Sequence, residues 1–249
     1  MKLSSVLITV LSVMLSLPFT ASANDKGVVL VTGANRGLGL EFVQQLEAKG
    51  YEVIGTARSP QKATELNATG AQVEQLDVTD AASVAALAKR LGDTPIDILI
   101  NNAGMLNRAD STMDSLDFDV MERSFQVNSL GPLRVTQALL PNLNAGQGKT
   151  VVSITSRLGS IKLSTGGLYS YRTSKTALNQ INKIMSSELA PQGFTCVVMH
   201  PGWVQTDMGG PNAALTKAES IAGMLGVIEN LTTESTGKFF NYDGTELPW

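Results

Sequence analysis

Tyr171 and Lys175 stand four residues apart at the start of an apolar-periodic segment, so they share one helix face. That pairing can do acid–base chemistry. A free tyrosine titrates at about 10 and is a poor proton donor or acceptor at neutral pH. A neighbouring ammonium favours the phenolate and brings that value toward the working range. Most Tyr/Lys pairs at this spacing lie on solvated surface, so the surroundings decide. Just upstream, Val151 to Ser156 reads as a strand ending in hydroxyls, on the side of a sheet where ligands bind. Ser153, Ser156 and Ser160 compete as partners of the pair; Ser156 is preferred as the last position of that strand.

A second chemical feature lies near the beginning. A strand, Gly27 to Thr32, runs straight into Thr32-Gly33-Ala34-Asn35-Arg36-Gly37-Leu38-Gly39, which opens a helix. Glycines there permit a tight turn and close backbone approach to a pyrophosphate, and a helix N-terminus offers free N–H groups. The alternative is a tight strand–helix turn with no ligand, but the strand-to-helix setting favours the cradle. The residue closing the second strand then decides the ribose. An acid would bond an NAD 2′-hydroxyl and repel a 2′-phosphate. Here the strand ends Thr56-Ala57-Arg58-Ser59, and Arg36 adds a second guanidinium. Two arginines able to converge on one phosphate point to NADP(H). Arg58 read instead as a solvated loop cation leaves that choice open.

These residues need a frame. The chain has 249 residues, 43% hydrophobic and 16% charged, which suits one α/β domain of ordinary globular composition. A net charge of -3 gives no clustered positive field for nucleic acid. The single cysteine, Cys196, excludes an internal disulfide and a multi-cysteine zinc site, and the lone His200 makes no metal cluster. Both read as packing residues of one strand. Residues 1–23 read as a signal peptide: Lys2, an apolar run from Val6 to Leu17, Pro18, then Ala21-Ser22-Ala23. The apolar run is shorter than the roughly 20 residues a membrane span takes. The expected mature chain, residues 24–249, would be exported to the periplasm or secreted; an uncleaved chain would be tethered or cytoplasmic.

Beyond Asp25 strands and helices alternate. Strands are expected at Gly27–Thr32, Tyr51–Ala57, Ala71–Leu76, Ile96–Ile100, Lys149–Ile154, Thr195–Met199 and Gly237–Asn241. Helices are expected at Leu38–Lys49, Gln61–Leu66, Ala81–Leu91, Asp117–Leu143 (kinked at Gly131-Pro132) and Tyr169–Leu189. Continuously apolar strands joined by helices mean a single doubly wound α/β (Rossmann) domain: a seven-stranded, mostly parallel sheet covered on both faces. Thr206 to Met224 is rich in Gly, Asn and Ala and suits a mobile lid or a surface excursion.

The order and joint occurrence of Thr32–Gly39, Asp77, Asn101-Asn102-Ala103-Gly104, Asn128, Ser156, Tyr171/Lys175 and Pro201-Gly202 resemble the short-chain dehydrogenase/reductase family over the whole mature length. Leu158-Gly159-Ser160, Tyr171 to Lys175 and the ending Asp243-Gly244 to Trp249 are similar to its sniffer-type carbonyl reductases and C-factor-like proteins, more loosely. The stretch between Ser156 and Tyr171 is longer than the family often shows.

The resemblance implies that Tyr171 exchanges a proton with the substrate oxygen, that Lys175 lowers its pKa and holds the nicotinamide ribose, and that Ser156 stabilises the developing alkoxide. It implies that Asn128 holds a water linking Lys175 to solvent. The cofactor would lie along Gly33, Asn35, Arg36, Gly37, Leu38 and Gly39, with Arg58 on its extra phosphate. Asp77 and Val78 would meet the adenine, and Asn102, Ala103 and Gly104 its ribose. Pro201, Gly202, Val204 and Thr206 would approach the nicotinamide end.

The expected function is hydride transfer between NADP(H) and a small carbonyl or secondary alcohol. Met105–Ser115, Arg157–Leu168 and the segment from Thr206 would shape an apolar pocket, with Met208 either packing or lining it. Two rivals are a nucleotide-binding signalling or scaffold protein without turnover, and a nucleotide-sugar epimerase or dehydratase. An intact Asn128, Ser156, Tyr171 and Lys175 argues against the first, and the short chain after the sixth strand against the second. Family members often pair through the helices following the fourth and fifth strands, as homodimers or homotetramers. Export and NADP(H) sit awkwardly together, because that cofactor is a cytoplasmic currency.

Overall fold

The structure, a computed structural model, describes residues 26–249. The leader reading of residues 1–23 lies outside them. No helix among the described residues is long and apolar enough to cross a membrane.

The chain runs β1 (Val28–Val31), α1 (Gly37–Ala48), β2 (Glu52–Ala57), α2 (Thr64–Asn67), β3 (Gln72–Gln75), α3 (Ala81–Leu91), β4 (Ile98–Asn101) and α4 (Phe118–Phe125). It continues through α5 (Gly131–Ala138), α6 (Leu140–Ala145), β5 (Thr150–Ile154), α7 (Tyr169–Leu189), β6 (Thr195–His200), α8 (Lys217–Ile228) and β7 (Phe239–Asn241). The strands form one seven-stranded sheet in the order β3-β2-β1-β4-β5-β6-β7, and every neighbouring pair is parallel. The order reverses between β1 and β4, and that switch point opens the crevice where doubly wound sheets take their ligands.

Alternate residues of the central strands feed two cores, as the two-residue period requires. Val29, Val31, Val152, Val197 and Met199 pack beneath α1 and α8, against Phe42, Val43, Ile221 and Leu225. Leu30, Leu99, Val151 and Cys196 pack on the other face, against Val84, Leu87, Leu139 and Met185. Cys196 is fully enclosed, and burial pushes its thiol up to about 12, so it is an inert packing group.

Three expected elements differ. The helix over Gln61–Leu66 is a 3-10 turn, Pro60–Lys62, broken at Ala63 before α2. The single helix over Asp117–Leu143 is three: α4 passes through a π-helical turn, Gln126–Leu130, into α5, and α6 starts at Leu140 with Pro141 in its first turn. Pro132 has no N–H, and its ring would press on the carbonyl four residues back. The π turn meets this by widening: the Gly131 N–H donates to the Gln126 carbonyl five residues back. The segment Thr206–Met224 is only half an excursion. From Lys217 onward it is α8, opened by a capping box in which Thr216 and Glu219 bond each other's backbone N–H. Ile221, Met224 and Leu225 of that helix are wholly buried, so its latter part is core and not lid.

Candidate active site

At the carboxyl ends of the strands lies one elongated cleft of about 1440 Å³, with the glycine loop at one end and Tyr171 and Lys175 at the other. The loop is set by β4. Thr32 Oγ1 accepts the N–H groups of Asn102 and Ala103 at 3.0 Å, and Asn102 Nδ2 donates to the carbonyls of Thr32 (2.9 Å) and Gly33 (3.2 Å). The close approach demands glycine. A Cβ on Gly33, whose φ is +66°, would sit 3.0 Å from Ala103 Cα, and one on Gly39 would sit 2.3 Å from the Gly33 carbonyl oxygen. No side chain caps α1 at Arg36, so its first N–H groups face the cleft with the positive end of the helix dipole behind them.

At the outer corner Arg58, Ser59 and Lys62 line the cleft with Asp77, Val78 and Thr79. Lys62 was not among the expected residues; its signal, a lysine behind Pro60 in the turn after β2, is too common to single out. Burial raises the Asp77 carboxyl, but the Thr79 hydroxyl and N–H (2.7 and 2.9 Å) and the Arg58 charge prevail and hold it below the usual range. Arg36 turns the other way, its guanidinium 2.8 Å from Asp207. Both partners are largely exposed, so the pair is weak and easily exchanged.

At the inner end Tyr171 and Lys175 are buried side by side on α7, with Lys175 Nζ 5.9 Å from the phenol ring centre. Lys175 Nζ donates to the Ile154 carbonyl at 2.7 Å, and burial lowers its pKa to about 8. Burial raises that of Tyr171, while the Ser156 hydroxyl beside it and the Arg108 charge act against the rise. The sequence expectation that Lys175 draws the phenol down is therefore not the balance seen here: desolvation prevails, and the opposing groups are Ser156 and Arg108. Ser156 lies two residues past the end of β5, not on its last position, because Ile154 closes the strand and Thr155 turns inward to Asn179 (2.7 Å). Ser153 is wholly enclosed in the strand, and Ser160 Oγ caps Leu163 N (3.2 Å), which leaves Ser156 as the serine beside the phenol.

Asn128 lies in the π turn, fully buried. Its side chain bonds both backbone groups of Met105 (2.8 and 2.9 Å) and Ser174 Oγ (3.0 Å), tying the loop beside Gly104 to α7. Pro201 and Thr206 line the cleft together with Met105 and Met208. Gly202 and Val204 do not: the first makes room for Leu215 and Tyr242, and the second bridges Leu215 in the interior.

His200 closes β6 with Nδ1 buried and no partner among the described residues, and burial together with Arg157 lowers its pKa to about 4. The folded protein thus keeps this imidazole neutral where the unfolded chain protonates it. Stability is expected to fall as pH drops from about 6.5 to about 4, by on the order of 2–3 kcal/mol from this group. Denaturant titrations of the wild type and His200→Asn across that range check this: the difference between the two curves should carry the slope, and parallel curves would remove it.

A crevice with a glycine cradle at one end and a buried acid–base group at the other defines a doubly wound, dinucleotide-site oxidoreductase. The chain belongs to the short-chain dehydrogenases, whose family profile matches residues 27–216. It is 50% identical over 165 residues to the C-signal of Myxococcus xanthus, covering 66% of this chain and 99% of that protein. It is 38% identical over 229 residues to 1-hydroxy-2-glutathionyl-2-methyl-3-butene dehydrogenase of Rhodococcus sp. (strain AD45), covering 89% and 99% of the two chains. Among solved structures it superposes on NADPH-bound carbonyl reductase from chicken fatty liver with a TM-score of 0.82, 37% identity and coverage of 89% and 98%. It superposes on carbonyl reductase Sniffer of D. melanogaster with a TM-score of 0.84, 33% identity and coverage of 90% and 99%.

Proposed function

We propose that the protein is an NADP(H)-dependent carbonyl reductase in which Tyr171 is the proton donor. The observation that carries this reading is the single cleft joining the glycine loop and the Arg58 corner to Tyr171 and Lys175. The cleft fits a dinucleotide: a Cβ on Gly33 would press on Ala103 and one on Gly39 on the Gly33 carbonyl, so the loop backbone stays bare, and the end of α1 is left without a side-chain cap. Asn35 to Leu38 would hold the pyrophosphate, Arg58 and Lys62 the 2′-phosphate, and Asn102 to Gly104 the adenine ribose. Bound there, the nicotinamide supplies the hydride for reduction or takes it in the reverse direction.

The chain's own groups manage the proton. Ser156 donates to the substrate oxygen and holds it against Tyr171. Tyr171 gives its hydroxyl proton to that oxygen as negative charge develops on it. Ser156 and Arg108 act in favour of the phenolate left behind, the Lys175 ammonium 5.9 Å from the ring centre adds its charge once that phenolate forms, and burial of the pair keeps water out. Met105 and Met208 give the substrate end apolar walls, which suits a small aldehyde or ketone.

The likeness to C-signal supports a second reading, a nucleotide-binding signalling protein without turnover. Consumption of NADPH across a panel of aldehydes and ketones separates the two: carbonyl-dependent consumption supports the reductase, and NADPH binding with no consumption supports the signal. The pH dependence is a further expectation. Reduction needs the Lys175 charge, so kcat/KM for reduction should fall as pH rises through about 8, while alcohol oxidation rises over the same window. Initial rates in both directions check this, and a reduction rate that stays level through that window contradicts it.

A further inference from the structure

We propose that Asp110 is a positioning residue for Tyr171, capping the catalytic helix from a distant loop and setting where the phenol stands. The inference rests on the acid–base reading of Tyr171.

The first N–H groups of a helix have no partner within it, and the residue before the first turn usually supplies one through a Ser, Thr, Asp or Asn side chain. At α7 that residue is Leu168, which has no polar side-chain atom and is held in the left-handed region at φ 53° and ψ 48°. The partner comes instead from the loop after β4. Asp110 Oδ2 accepts the Ser170 N–H at 2.8 Å and the Ser170 hydroxyl, and the Asp110 carbonyl accepts the Tyr169 N–H at 3.3 Å. One residue thus satisfies the first two N–H groups of a helix of 21 residues, and Tyr171 follows directly.

Packing alone does not account for a carboxylate here. Asp110 has no solvent exposure, and its Oδ1 is enclosed with no partner among the described residues. Burying such a group is costly beside an apolar side chain of similar size, so its use needs a return. The positive end of the α7 dipole supplies part of it. The rest is positional. The loop that holds Asp110 also carries Gly104 and Met105, which line the cleft, and Arg108, whose Nη2 donates to the Met208 carbonyl across the cleft mouth at 2.8 Å. One carboxylate therefore joins the loop that shapes the substrate end to the turn that aims the phenol. The nearby charges are Arg108 in the loop and Arg172 in the same helical turn, whose Nη2 donates to Thr165 Oγ1 at 2.8 Å.

The test uses the full chain with Asp110→Ala, Asp110→Asn and Ser170→Ala, measuring carbonyl-reduction kinetics, NADPH binding and thermal unfolding. Asp110→Ala should lower kcat about 10- to 50-fold, because misplacement by about an ångström is enough to disrupt proton transfer, while NADPH Kd stays within about twofold. Asp110→Asn keeps an oxygen for the Ser170 N–H and should recover most of the loss. Ser170→Ala removes only the hydroxyl contact and leaves the Ser170 N–H bond that caps the helix, so it should cost a few-fold in kcat, less than Asp110→Ala. Wild-type kcat per folded molecule in Asp110→Ala overturns the proposal, whatever the change in Tm. Should that variant not fold, wild-type kcat in both Asp110→Asn and Ser170→Ala overturns it. A parallel loss of NADPH affinity overturns it too, since that marks a general collapse of the site. An inactive wild type removes the acid–base reading and this role together; an active wild type with indifferent variants removes this role alone.

Discussion

Tyr171→Phe is expected to lower kcat for carbonyl reduction about 10³-fold and to leave NADPH affinity within about twofold, the size of effect a positioned general acid provides. The substitution removes one oxygen and keeps the ring that fills the buried position, so the fold and the cleft are retained. What is lost is the proton for the substrate oxygen and the partner of Ser156. Ser156 can still hold the carbonyl, which is why a small residual rate is expected and not none. Steady-state kinetics with NADPH fluorescence titration decide the matter. A variant that keeps a tenth of the wild-type kcat would remove Tyr171 from the proton step.

The next largest effect concerns the cofactor's extra phosphate. Arg58→Ala should reduce the preference for NADPH over NADH about 10- to 100-fold, since a charged hydrogen bond contributes roughly 1.5–3 kcal/mol. The loss should fall on KM for NADPH, with NADH kinetics hardly changed. Lys62 remains at the corner and Arg36 can leave Asp207, so the preference should weaken without inverting. Parallel kinetics with both cofactors check this. An unchanged ratio would place Arg58 among ordinary loop cations and return the ribose question to Lys62 and Arg36.

Much of this was legible in the sequence because its signals are local. Apolar runs marked six strands and the alternation from Ala71 to Leu76 marked β3, with ends displaced by a residue or two, and the glycine spacing between β1 and α1 is a pattern within eight residues. Arg58 could be read because an arginine stands where an acid would bind a ribose. The misreadings share a physical origin. The π turn at Gln126–Leu130 depends on how the chain relieves Pro132, and two outcomes, a kink or a widened turn, fit the same letters. α8 was obscured because Gly209, Gly210, Asn212 and Ala213 dominate the stretch before it, although Thr216 and Glu219 carry a capping box.

Longer-range features had no signature at all. Asp110 reaches Ser170 across 60 positions, and neither residue type announces the other. The direction of the Tyr171 pKa likewise follows from enclosure by the fold and not from the lysine four residues on. Gly202 and Val204 follow Pro201 in sequence, yet the turn aims them at Leu215 instead of the cleft.

The central claim is hydride transfer from NADPH to a carbonyl carbon in this cleft. The most direct measurement supplies NADPH carrying deuterium on the reactive carbon of its nicotinamide to the wild-type enzyme with an aldehyde or ketone it consumes. The alcohol is then weighed by mass spectrometry. The expected result is deuterium on the carbinol carbon, in step with cofactor consumed and accumulating about 10³-fold more slowly with Tyr171→Phe. Cofactor bound at the cleft with no deuterium in any product would contradict the claim.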